Sequence, residues 1–423
     1  MIQRDILPHI LHWVGKEKIL ILKGARQVGK TTLLRQIMEV IRTNSGTDAS
    51  VVYLSADDVG DSAYLQTPET LEEYLRRNHG FPDRFAYVFI DEFQTLPDAG
   101  RFLKNLFDTN KARLQLIVSG SSSLEITKNT EFLTGRSLDF DIMRISFREF
   151  FRYENTTEVE QLALSRFGEL SRFWETYAND IRRLLPQYLA FGGYPEVITT
   201  KDNADKQTIL ASIAKTYIEK DVAGFLRIEN ISGFNTLIRI LADQIGNLVN
   251  VSELCATAGL ARATTERYLE VLNGTYVFSN VTPFYRNTRA ELTKMPKAYM
   301  LDPGMRNYFL RTFEAQHETD GHLLENFVYL ELLRQFKKDH VHFYRTISGA
   351  EIDFVVETPG HTVMPIEVKF RRKTPLPVAM RNFRDRYPDL VLRNVILTKN
   401  TLRQDGDTFF LPVALLPFTQ VVA

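Results

Sequence analysis

The stretch KILILKGARQVGKTTLLRQIMEVIR, residues 18–42, constrains the fold more than any other part of the chain. Residues 18–23 are a short apolar run and predict a buried strand, and an amphipathic helix is expected from Thr31. Between them lies Gly24-Ala25-Arg26-Gln27-Val28-Gly29-Lys30-Thr31-Thr32, which fits G-x-x-x-x-G-K-T without a mismatch. Strand, tight loop and helix in that order are the opening unit of an α/β sheet. The glycines let the backbone curl so that its N–H groups face phosphate oxygens, and the helix N-terminus adds positive potential. Lys30 is expected on the β and γ phosphates and the Thr31 hydroxyl on Mg²⁺. ATP and Mg²⁺ are the cofactors this pattern implies.

Such a loop needs a second carboxylate near the metal. AYVFIDEFQ supplies it: residues 87–90 predict a buried strand, and Asp91 and Glu92 fall at its carboxyl end, where α/β sheets bind ligands. Asp91 is expected to hold Mg²⁺ through water, and Glu92 to polarise the attacking water. The next apolar run, LQLIVSGSSS, puts Ser119 either where a polar group senses the γ-phosphate or among residues that merely cap and turn. Downstream, Arg136 follows a glycine turn, with Arg144 and Arg148 nearby. Spacing alone reads it as a surface or ion-pair arginine.

The blocks GARQVGKTTLL, VFIDEFQ, VSGSSS, LTGR and SFREF, followed by YLAFGGYPEVI, TYIEKDV and GHLLENFVYLELLR, run over nearly the whole chain. Together they resemble the bacterial and archaeal AAA-type ATPases with a C-terminal domain of the DUF4143 kind. The resemblance implies that Arg136, in the "GR" block, is an arginine finger, and that the C-terminal domain has a restriction-endonuclease-like fold. An arginine acting in trans implies a homo-oligomer, a ring being the expected form.

Residues 155–245 read as helices and suit a lid over the nucleotide. Tyr194 and Pro195 make a turn, and Lys220 and Asp221 read as solvated charges. Residues 249–284 have the outline of a winged helix-turn-helix: Ser252 caps one helix, a second follows from Ala263, Gly274 stops it, and two strands come after. Arg262, Thr264, Thr265 and Arg267 are expected to face a DNA groove, with Arg286, Arg289, Lys294 and Lys297 on the wing. The alternative is that the module packs against other domains.

Near the C-terminus, GAEIDFVVETPGHTVMPIEVKF predicts a hairpin. Period two puts Glu351 with Asp353 on one face, and Glu367 with Lys369. D-x13-E-x-K resembles the PD-(D/E)-x-K signature, without its proline because Ile352 precedes Asp353. Asp353 and Glu367 would bind Mg²⁺, Lys369 would orient or deprotonate a water, and Glu325 on the preceding helix would complete the outer shell. The basic run 369–373 (KFRRK) would approach a phosphate backbone.

The bulk numbers agree with a multidomain globular protein: 423 residues, 44% hydrophobic and 25% charged. The net charge is formally zero, with 52 basic and 52 acidic side chains, so DNA contact must rest on local patches. Cys255 stands alone, which excludes an intrachain disulfide and points to a buried apolar role in the cytoplasm. A first helix over residues 6–14 is expected to dock on the domain. No apolar run approaches a membrane span, and no membrane partner is expected.

The expected fold class is therefore α/β, in four parts: an AAA-type P-loop ATPase domain over 1–155, a helical lid over 156–245, a winged helix over 246–304, and a PD-(D/E)xK nuclease-like α/β domain over 305–423. The expected function is ATP hydrolysis coupled to DNA handling, with metal-dependent nuclease chemistry at the C-terminal site. The alternative is a nucleotide-gated switch or scaffold whose nuclease-like domain only binds.

Overall fold

The computed structural model describes residues 2–45, 48–121, 133–219, 222, 228, 230–284, 295–313, 320–346, 348–369 and 375–422. The chain divides into two compact units, Met1–Ile145 with Gly274–Val277, and Ser146–Asn273 with Phe278–Ala423.

In the first unit, α1 (Leu7–Leu11) leads into β1 (Ile19–Lys23), α2 (Lys30–Ser45) and β2 (Ala49–Ser55). Then come α3 (Pro68–His79), β3 (Phe85–Asp91), α4 (Ala99–Asn110), β4 (Leu114–Gly120) and β5 (Ser137–Asp141). The strands form one parallel sheet, ordered β2-β3-β4-β1-β5. Parallel strands are buried on both faces, hence the near-continuous apolar runs ILIL in β1 and LQLIV in β4. The exception in β4 is Gln115, whose amide donates to the carbonyls of Trp13, Lys16 and Lys18 and ties the segment after α1 to the sheet. The expected first helix is thus present and shorter, with Ile10 its buried anchor. Thr67 caps α3, whose first residue is Pro68, and Gly80 ends it at φ 68°.

The second unit opens with α5 (Phe147–Asn155), α6 (Phe167–Phe191), α7 (Pro195–Thr199), α8 (Asn203–Thr216) and α9 (Ile231–Asp243). The start of SFREF is a capping box: Ser146 Oγ accepts from Glu149 N, and Glu149 accepts from Ser146 N. Phe147 then packs edge-on against Tyr188, Phe327 and Phe418, joining the helices to the C-terminal layer. The helices expected as a nucleotide lid therefore group with the C-terminal half.

Next come α10 (Val251–Ala258), α11 (Arg262–Gly274), β6 (Phe278–Val281), β7 (Lys297–Met300) and α12 (Pro303–Leu310). β6 and β7 pair antiparallel. The cap of α10 is Asn250 and not Ser252, since the Asn250 side chain accepts the free N–H groups of Ser252 and Glu253. Gly274 is the last residue of α11 rather than the stop after it. One groove-facing expectation fails: Thr265 is fully buried, its hydroxyl donating to Ala261 O and accepting from Cys255 Sγ, while Thr264 is half-buried. Cys255 is half-buried rather than a core residue. Lys297 is also buried, at 2% exposure. Arg286, Arg289, Lys294, Lys220, Asp221, Ser122, Ser123 and the run 370–373 lie outside the described residues.

α13 (Gly321–Gln335) precedes β8 (Val341–Arg345), β9 (Glu351–Thr358), β10 (Thr362–Lys369), α14 (Val378–Arg386), β11 (Asn394–Thr398), β12 (Arg403–Asp405) and β13 (Thr408–Pro412). Their sheet runs β12-β13-β11-β10-β9-β8. The predicted hairpin is β9–β10, with Phe354 opposite Ile366. α14 is the crossover that lets β11 lie parallel to β10.

Where α6 ends, the chain packs backbone on backbone. Asp302 accepts from Gly193 N and caps α12 through Met305 N, and Asn307 donates to the carbonyls of Leu189 and Ala190. The double glycine of YLAFGGYPEVI thus has a packing role, where the sequence offered none.

Candidate functional site

The glycine-rich loop crosses from the end of β1 to the start of α2, at the carboxyl edge of the parallel sheet. Gly24 is obligatory there, because a Cβ would overlap the carbonyl of Ile142. Lys30 is 5% exposed, and its ammonium donates to Gly24 O (3.0 Å) and Ala25 O (2.8 Å). The loop therefore curls around its own lysine, the charge that arriving phosphates would meet.

Asp91 ends β3 at the same edge and is 4% exposed. Its Oδ2 accepts from Thr31 Oγ1 at 2.6 Å and from the Tyr53 hydroxyl at 3.0 Å. Its Oδ1 accepts from the Ser119 hydroxyl and from Glu92 N at 3.1 Å. Burial, then the Asp91 charge, raises the Tyr53 phenol well above its ordinary pKa, so it stays a donor. A hydroxyl and a carboxylate oxygen 2.6 Å apart form a hard-oxygen pair that fits Mg²⁺.

Glu92 follows with φ 52°, in the left-handed region, where a residue other than glycine is rare. Its carboxylate accepts from Gln94 Nε2 and from Ser121 Oγ (3.2 Å), and Gln94 also donates to Ser121. Glu92, the expected base, is thus held beside Asp91 by two side chains.

The structure brings Lys30, Thr31, Asp91, Glu92 and Ser119 together. It does not bring Arg136 to them. That residue precedes β5, and its carbonyl accepts from Ile19 N at the opposite end of β1, about 13 Å of strand away from the loop. Its guanidinium grips Asp108, with Nε on Oδ1 (2.6 Å) and Nη2 on Oδ2 (3.0 Å). Sequence reasoning missed Tyr53, Gln94, Ser121 and Arg4. Arg4 is 7% exposed and donates to Val28 O (3.0 Å) and Met143 O (2.5 Å), pinning the glycine-rich loop from behind. No local pattern announces any of these four.

The C-terminal cluster in the second unit joins α13, β7, β9 and β10. Asp353 Oδ2 accepts from Val368 N (2.7 Å), Glu367 Oε2 from Asp353 N (3.3 Å), and Lys369 pairs with Glu367 Oε1 (2.6 Å). Burial, then Glu325 and Glu367, pushes the Asp353 carboxyl well above its ordinary pKa; burial likewise raises Glu367. Glu325 Oε1 accepts from Lys297 Nζ (2.9 Å) and from the Tyr299 hydroxyl (2.6 Å). Lys297 also reaches Glu351 Oε1 at 2.6 Å. Burial alone would lower the Lys297 ammonium pKa, but Glu325 and Glu351 outweigh it and hold it raised. Mg²⁺ does not fit these side chains as they stand, since an ammonium already bonds the helix carboxylate. Among the described residues no three His, Cys, Asp or Glu side chains gather as a metal site.

The parallel sheet, its phosphate-loop strand and the Asp91 strand separated by β4 define a P-loop NTPase fold. Residues 16–151 match the family model of an AAA domain, and residues 320–416 match a domain of unknown function (DUF4143). Residues 182–316 match another domain of unknown function (DUF8612). These matches support an AAA-type ATPase that carries a DUF4143 domain. An uncharacterized protein of Haemophilus influenzae is 22% identical over 88% of this chain and 87% of its own length. One of Methanocaldococcus jannaschii is 25% identical over 96% of this chain and 86% of its own. Among solved structures, the Aeropyrum pernix ORC1 protein in complex with DNA overlaps 72% of this chain and 91% of its own, at 13% identity and a TM-score of 0.31, too low to carry an argument. No helix among the described residues is long and apolar enough to cross a membrane.

Proposed function

We propose that the chain is a Mg²⁺-dependent ATPase that works as a homo-oligomer and handles DNA. The observation that carries the hydrolytic part is the Thr31–Asp91 pair beside the curled loop. Bound Mg²⁺ would supply charge neutralisation between the β and γ phosphates. Lys30 exchanges its two carbonyl partners for phosphate oxygens. Tyr53 and Ser119 keep Asp91 aimed at the metal, and Glu92, released from Gln94 and Ser121, orients the water. Phosphate release from ATP by the purified chain, present with Mg²⁺ and lost in excess EDTA, tests this reading.

Arg136 supports the oligomer. Standing a strand's length from its own loop, it can serve only a neighbour's nucleotide, after leaving Asp108. Activity per subunit is expected to rise with protein concentration, and Arg136→Ala subunits to poison mixed assemblies. Flat activity across a dilution series, with dissociation confirmed by light scattering, would remove the arginine from catalysis.

The DNA part rests on the order α10, turn, α11 and the β6–β7 pair, with Arg262 and Arg267 exposed on α11. Arg262 holds Glu266 at 2.9 Å, an exposed pair worth about 0–1 kcal/mol and readily exchanged for phosphate. Arg262→Ala/Arg267→Ala is expected to weaken binding of a labelled duplex and to reduce the salt slope by about 2. An unchanged anisotropy titration leaves the switch or scaffold reading in its place. Phosphodiester cleavage at Asp353, Glu367 and Lys369 has less support, because of the ammonium among the carboxylates.

A further inference from the structure

We propose that Lys297 is the resident cation of the C-terminal carboxylate cluster, its ammonium holding the place a divalent metal ion would take between α13 and β9. The residue comes from β7, outside the hairpin that carries Asp353 and Glu367. At 2% exposure it spans two carboxylates on two different elements, Glu325 at 2.9 Å and Glu351 at 2.6 Å. It also lies 5.5 Å from the centre of the Phe343 ring.

The surrounding oxygens are already committed. Glu325 Oε1 takes a second bond from Tyr299, and Glu351 Oε2 faces Arg345 at 3.3 Å. Lys369 neutralises Glu367 from the rim, where it is 40% exposed. Three basic groups therefore contact three of the four carboxylates before any ion arrives. A free Mg²⁺ would have to displace a cation that the chain itself tethers, and would leave that ammonium buried without its partners. The cluster is thus an ion network tying β7 to α13 and β9.

The test is Mn²⁺ titration of the full chain without nucleotide, followed by electron paramagnetic resonance of the free ion. Wild type and Asp353→Asn are expected to bind the same number of ions. Lys297→Met is expected to gain one Mn²⁺ per chain, and Lys297→Met/Asp353→Asn to lose it again. A wild-type site removed by Asp353→Asn or Glu367→Gln would overturn the proposal. So would a folded Lys297→Met chain, checked by circular dichroism, that gains no ion. If Lys297→Met does not fold, the comparison of wild type with Asp353→Asn decides alone.

Discussion

Replacing Lys30 by alanine is expected to lower ATP turnover by at least about 100-fold, because removing one preorganised charge from a transition state costs on that order. Lys30 is buried, and its ammonium is bonded to the curl of the loop from inside. Nucleotide affinity should fall with it, since on the proposed role the same ammonium would meet the ground-state phosphates. Glu92→Gln separates the two effects. On the proposed roles Asp91 and Thr31 would still hold Mg²⁺, so binding is expected to be retained, while turnover is expected to drop about 100-fold with the proposed water-orienting carboxylate gone. Single-turnover phosphate release and fluorescent-nucleotide titration read the two quantities. A Glu92→Gln chain that hydrolyses ATP at the wild-type rate would remove Glu92 as the base and direct the search to other groups around Asp91.

The second large effect is on stability. Gly304 lies in the first turn of α12, where a Cβ would overlap the carbonyl of Phe191 at the end of α6. Both partners are backbone, held by Asp302 and Asn307, and neither can move aside. Gly304→Ala is expected to destabilise the second unit by about 3 kcal/mol, the upper range of overpacking. Gly168→Ala is the control: it sits in the first turn of α6 with nothing within 4 Å of the added carbon. That change should stabilise by about 0.5–1 kcal/mol through helix entropy. Urea midpoints measure both, and equal midpoints for the two variants would refute the overlap.

The parts of the nucleotide site that the sequence announces are those whose chemistry is local. The glycine-rich loop and the Asp91–Glu92 pair each span a few residues and sit at strand ends, so apolar runs locate them. Tyr53 and Arg4 were illegible because their roles arise from neighbours 38 and 24 residues away. Ser119 was legible as a polar break at the end of an apolar run, though its bond to Asp91 was not. Lys297 was misread for a physical reason. A lysine on a short strand after a helix-turn-helix reads as a wing charge, and only the fold places Glu325 and Glu351 against it. Thr265 failed through helical register, since one face of α11 must be buried and the sequence did not say which. The hairpin carrying Asp353 and Glu367 was readable from alternation alone, but the occupant of the space between the carboxylates was not.

Gly274–Val277 clusters with the first unit although the chain on both sides belongs to the second. Tyr276 in that segment donates to Oδ1 of Asp141, the last residue of β5, at 3.2 Å. The two units are therefore not consecutive paragraphs of the gene. A recombination event that moved residues 1–145 into another protein would leave behind four residues of the donor's own fold, and the recipient would inherit a sheet edge lacking its tyrosine.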